Sequence, residues 1–201
     1  MSHSNRHGGR VMFDFSVAMD RLCRDISERV DDFAHVDMNR VAVTFAQTRR
    51  RVLHGMQAKL TPLRFAGGAE QEVRHGRRYG VERVRVGGRE MLYILTFYLP
   101  RFCEHPFREK LVTVFHELYH ISPAFDGDVR RFGGRYSVHT GSQKNYDAAM
   151  AVYADAYMRD RPPAAVVDFL RHDFAGLRRT AGTIVGLQLP IPKLVPLDDA
   201  A

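Results

Sequence analysis

One five-residue string constrains this chain more than any other: His116-Glu117-Leu118-Tyr119-His120. Residues four apart on an α-helix lie one turn above another, so the two imidazoles point the same way only if the segment is helical. Its flanks predict that it is. Pro106 suits a first helical turn, where its missing N–H is not needed, and Pro123 cannot continue the ladder. Between them Phe107, Leu111, Val114, Leu118 and Ile121 recur at spacings of four, three, four and three, an apolar helical stripe. His116 and His120 fall roughly opposite that stripe, together with Glu109 and Thr113.

A helix presenting two imidazoles at positions i and i+4 can hold one Zn²⁺, and the Glu beside the first His stands where it can take a proton from a water. The pattern predicts a hydrolytic zinc site, one metal per chain, with His116 and His120 as ligands and Glu117 as general base. The competing reading is ordinary polar residues on a solvated helix face. A catalytic zinc takes a third protein ligand and leaves a fourth position open. Asp126 stands where a longer motif places that ligand, although Pro123 replaces the glycine of that motif. His139 lies just before the next predicted helix, and Asp147 and Asp155 lie on it.

At 201 residues and 45% hydrophobic, the chain suits one medium domain with a sizeable core. The expected division is a disordered lead over 1–14, a single domain over 15–175 and an extended tail over 176–201. The longest apolar run, Met91 to Leu99, is far short of a bilayer span. Two cysteines, Cys23 and Cys103, form neither a metal motif nor a secreted scaffold, which favours a reduced, cytoplasmic protein. The net charge of +7 is uneven, because residues 40–110 carry fifteen Lys and Arg against six Asp and Glu. Arg49-Arg50-Arg51 and Arg74-His75-Gly76-Arg77-Arg78 in that segment predict weak contact with nucleic acid, against the plainer reading of a solvated arginine-rich surface.

Periodicity predicts an amphipathic helix from Ser16, its N-cap, to about Phe33, and a strand over Val41–Phe45 with a shorter one at Leu63–Phe65. Val81–Val86 and Met91–Leu99 around Gly87-Gly88 read as a β-hairpin whose second strand is buried on both faces. The loop from Ser122 to Gly141 is expected to wrap the metal site. Gln143–Met158 is an alanine-rich helix, N-capped by Ser142, expected to pack on the motif helix with its tyrosines in the core. A shorter helix over Ala164–Phe174 precedes the proline-bearing tail.

The motif, the strand Met91–Leu99, Pro100-Arg101-Phe102, Phe125-Asp126-Gly127-Asp128, Arg130-Arg131, His139 and Tyr146-Asp147 together resemble the phage-type zinc metallopeptidases, zincin-like proteins akin to SprT-like and Spartan-type domains. The resemblance covers roughly residues 38–158. It implies an α+β fold, a small mixed sheet packed on the H-E-x-x-H helix with flanking helices. It implies peptide-bond hydrolysis of a protein or peptide substrate, with a sheet strand bordering the cleft and pairing with substrate; the hairpin of Val81–Val86 and Met91–Leu99 is the candidate. It favours His139 as third ligand, although Thr140 separates it from Gly141. Asp126 or Asp128 would orient a ligand imidazole, and Tyr146 or Arg135 would support the oxyanion. The alternative is a non-catalytic or differently specific zinc module associated with nucleic acid.

Overall fold

Tyr93, Leu95, Phe97 and Leu99 are fully buried, and the strand that carries them sets the frame for the rest. The structure is a computed structural model that describes residues 12–48, 54–131 and 143–197, with 143–147 described by their helical backbone alone. In chain order the first half gives β1 (Met12–Asp14), α1 (Phe15–Arg29), β2 (Val41–Gln47), β3 (Ala58–Pro62), β4 (Gln71–Arg74), β5 (Arg77–Val81), β6 (Arg85–Val86), β7 (Arg89–Glu90) and β8 (Tyr93–Leu99). There follow α2 (Phe107–Tyr119), α3 (Gln143–Arg159), α4 (Ala164–Val167), α5 (Phe174–Ala181), β9 (Thr183–Val185) and β10 (Leu194–Pro196). The fold is mixed α+β with small sheets.

The central sheet has the order β2-β8-β3, with β2 parallel and β3 antiparallel to β8. Alternation along β8 sends Tyr93, Leu95, Phe97 and Leu99 into the main core beneath α1 and α2. Ile94 goes to the opposite face, into a smaller cluster with Ala42, Leu63 and Met91, against which Val84, Val86, Leu187 and Leu189 pack. The run is apolar because both faces are covered.

Several sequence expectations shift by a few residues for identifiable reasons. Asp14, not Ser16, caps α1, its carboxylate accepting from Val17 N–H at 2.9 Å; the Ser16 hydroxyl instead accepts from Leu187 N–H. Phe33 lies in a separate 3-10 turn beyond the helix. The predicted hairpin shrinks to β6 and β7 around Gly87-Gly88, since β8 pairs with β2 and β3 rather than with the strand before it. The shorter strand falls at β3 rather than Leu63–Phe65. The predicted helix over Ala164–Phe174 is instead α4 followed by a 3-10 turn, and α5, which was not expected, starts only at Phe174 and stops at Gly182 with φ 75°. Met12–Asp14, expected in the disordered lead, forms β1 and pairs with β9, while in the expected extended tail Leu194–Pro196 lies against β5 as β10. Residues 1–11, like the arginines at 49–51, lie outside the described part.

Helix α3 packs on α2 as expected, with Phe115 stacked on Tyr153 and edge-on to Tyr157. Tyr153 and Tyr157 thus serve the core. Lys110 on α2 is buried, its ammonium donating to the carbonyls of Cys103 and His172 at 2.8 Å each; burial pulls its pKa down. That clamp fixes the N-terminal half of α2 to the chain before it and to the turn after α4. No helix among the described residues is long and apolar enough to cross a membrane, and Cys23 and Cys103 are buried free thiols.

Phe15 joins the layers: its ring meets Phe45, Phe97, Phe102 and Phe169, all at edge geometry with centroids 5.8–6.3 Å apart. Phe15→Ala removes this junction and is expected to cost about 3–5 kcal/mol of unfolding free energy in chemical denaturation. A loss below about 1 kcal/mol would mean that the aromatic cluster does not hold α1 to the sheet.

Candidate metal centre and cleft

Helix α2 contains His116 and Glu117 and ends at Tyr119, with His120 as its C-cap at φ −69° and ψ −16°. The apolar stripe is buried as the spacing predicts, Leu111, Val114, Leu118 and Ile121 each at most 1% exposed. That leaves the two imidazoles side by side, ring centroids 4.8 Å apart at 72°. His116 opens onto a cleft and His120 is 7% exposed.

The end of the helix is held by the turn that follows. Arg130 donates through its backbone N–H to His120 O at 2.7 Å and through Nε to Tyr119 O at 2.8 Å, and its guanidinium lies 4.0 Å above the Tyr119 ring. A cation satisfying the last carbonyls of a helix also suits the negative end of its dipole. The turn is pinned from below by the Tyr93 hydroxyl, which donates to Asp128 O and accepts from Gly127 N–H, each at 2.9 Å. Gly127 has φ 89°, and a Cβ there would meet Arg64 Cγ at 2.5 Å, so this position needs glycine.

Glu117 is 9% exposed, and its Oε2 accepts from the Leu60 backbone N–H of β3 at 2.7 Å. Burial pushes this carboxyl up to about 7; the Leu60 N–H and the Lys59 ammonium offset only part of that. A carboxyl poised near neutrality in a cleft is suited to taking and returning a proton. The cleft, about 780 Å³, runs from His116 and Glu117 along α2 toward Arg108, between the Gly55–Ala58 stretch and α3.

The remaining sequence candidates separate by position. Asp126 Oδ1 accepts from Asp128 N–H at 3.1 Å within the turn. Asp128, 5% exposed, accepts from Gly67 N–H, Val129 N–H and the Arg131 guanidinium. Burial alone would raise its pKa, but Arg131 and the two N–H groups bring it below the usual range. These hydrogen bonds shape the turn that follows the motif helix. Asp155 is engaged by Arg108 through two hydrogen bonds of 2.9 and 2.7 Å, two helical turns before His116. His139, Arg135 and the side chains of Tyr146 and Asp147 lie outside the described residues, as does the second half of the loop expected to wrap the site. Among the described residues no three His, Cys, Asp or Glu side chains form a metal-sized group. Two imidazoles with clean helical spacing are nonetheless a fit partial donor set for zinc, which bonds neutral imidazole readily.

Sequence reasoning missed three groups. The Leu60 N–H carries no side-chain signal. Arg130 acts on backbone carbonyls, and nothing in its spacing from the motif announces that. Gln57, whose Oε1 accepts from the Thr113 hydroxyl at 3.0 Å, ties the stretch before β3 to the cleft floor. Of the basic residues, Arg74, Arg77 and Arg78 are exposed around the β4–β5 turn. No protein-family model, curated protein or solved structure matches the chain.

The raised Glu117 pKa implies a stability cost with a definite sign. The folded state holds the proton more tightly than the unfolded chain, so the stability contributed by the protonated carboxyl is fully present below about 4.5 and is lost as pH rises through about 7, where the cost of the buried carboxylate appears. With metal removed by chelation, Glu117→Gln should therefore melt above the parent at pH 8 and level with it near pH 4, by calorimetry. A gap that does not change with pH would show that the carboxylate is not desolvated.

Proposed function

We propose that this chain is a zinc-dependent metallopeptidase of zincin-like fold, hydrolysing peptide bonds in a protein or peptide substrate. The observation that carries this reading is the pair of adjacent imidazoles with a buried carboxyl beside them, pressed against the edge of a sheet and facing an open cleft. His116 and His120 would hold the metal, with His139 as the proposed third ligand. When bound, zinc polarises a carbonyl and makes a water acidic enough to attack near neutral pH.

The chain's own residues supply the rest. Glu117 accepts a proton at its carboxylate and returns it to the departing amine. Its hydrogen bond from Leu60 keeps the carboxylate at the cleft wall. The substrate strand is assigned to β3 rather than to Met91–Leu99. Both edges of β8 are already paired, by β2 and β3, while the outer edge of β2 receives Leu187, whose carbonyl accepts from Phe45 N–H. The outer edge of β3 faces α2; its Leu60 N–H is held by Glu117 and Pro62 has none, so an extended peptide laid along it would pair through Ala58 and the Leu60 carbonyl as it passes His116 and Glu117.

Zinc-loaded protein is expected to cleave an unfolded protein substrate, and Glu117→Gln to retain zinc while losing at least about 100-fold in rate, as removal of a general base does. Equal cleavage by parent and variant would remove Glu117 as the base; no cleavage by either would favour a binding module. For the third ligand, His139→Ala should weaken zinc affinity well beyond the 10–100-fold typical of residues that only orient a ligand, and Asp126→Asn should stay within it. Competitive titration with a zinc chelator reads both, and the reverse order would transfer the assignment to Asp126.

A further inference from the structure

The cleft continues past the proposed reaction centre, and its chemistry changes along its length. Beside His116 and Glu117 the side walls are Ala58, Val112, Ala148 and Ala151, with the half-exposed Met56 at the rim, over a floor where the Thr113 hydroxyl is already bonded to Gln57. These would pack an aliphatic stem. Toward the N-terminus of α2 the lining becomes charged, with Arg108 and Glu109. Arg108 is neutralised in place by its two hydrogen bonds to Asp155.

Glu109 also has a partner, but its carboxylate meets that partner through one bond rather than two. Its side chain is 60% exposed, with Oε2 3.0 Å from His105 Nδ1. It lies seven residues before His116, nearly two turns, so it projects from the same face of α2 about 10 Å further along the axis. Apolar walls near the reaction centre and a carboxylate at the far end match a side chain with a long aliphatic stem and a cationic tip.

We infer that this cleft selects a lysine or arginine side chain next to the bond that is cut, with Glu109 as the residue that reads its charge; the inference rests on the metallopeptidase reading above. The stem of lysine or arginine lies along Val112 and the α3 alanines, and its ammonium or guanidinium meets the Glu109 carboxylate. An acidic side chain in the same place faces that carboxylate and is disfavoured. Because the ion pair would be half-exposed, its contribution is modest and salt-sensitive.

The test uses the zinc-loaded full chain and a peptide series identical except for the residue after the cleaved bond, which is Lys, Leu or Glu. The readout is the ratio of kcat/KM for the Lys and Glu peptides. The parent is expected to favour Lys by about tenfold at low salt, with the ratio shrinking at about 0.5 M salt. Glu109→Gln should bring the ratio close to one and Glu109→Lys should invert it. If the parent cuts the Leu peptide but shows no Lys preference, or if the ratio is the same in Glu109→Gln, the charge-reading role is wrong while the hydrolase stands. If the parent cuts none of the three peptides and no unfolded protein either, the metallopeptidase reading fails and takes this inference with it.

Discussion

The Glu117 carboxylate, buried where α2 meets the edge of β3, is the contact on which the site depends. Removing a carboxylate from water is costly, and one backbone N–H from Leu60 offsets only part of that cost. A fold optimised for stability alone would place a neutral side chain there. Proteins keep such groups where function needs a poised proton acceptor and draw the stability from elsewhere. Here it comes from the aromatic junction around Phe15 and from a strand, β8, whose inward residues are completely buried.

The same economy governs the two histidines. Helical spacing brings their rings together, but the end of a helix frays unless its last carbonyls find donors. Arg130 supplies two of these, to Tyr119 and His120, and the turn that carries Arg130 is itself fixed by Tyr93 and by a glycine that tolerates no side chain. His120 is thus positioned by residues reaching back to the central strand. The site and the sheet are one mechanical unit.

The helix over Phe107–Tyr119 was legible in the sequence, because a stripe of apolar residues at helical spacing and a proline at each flank leave few alternatives, although it closes one residue before His120. The α+β class and the packing of the alanine-rich helix on the motif helix could also be read there. Pairing between strands could not. The apolar run ending at Leu99 looks like half of a hairpin from local pattern, yet its partners are β2, about fifty residues earlier and parallel, and β3, whose sequence Ala-Lys-Leu-Thr-Pro is too short and mixed to announce a strand. Register over such separations is decided by tertiary packing, not by neighbours. The Asp126 and Asp128 carboxylates illustrate the other limit. Their spacing after the motif suggested a role at the metal; their hydrogen bonds with Asp128 N–H, Gly67 N–H and Arg131 also build a tight turn, which asks for the same residue types and which the spacing did not announce.

The most direct measurement is the coordination sphere itself, from diffraction at the zinc edge together with X-ray absorption on the zinc-loaded protein. A hydrolytic centre requires His116 and His120 nitrogens at about 2.0–2.1 Å, one further protein ligand, and a remaining position open to the cleft. Zinc closed off by four protein ligands, or bound away from His116 and His120, would contradict it.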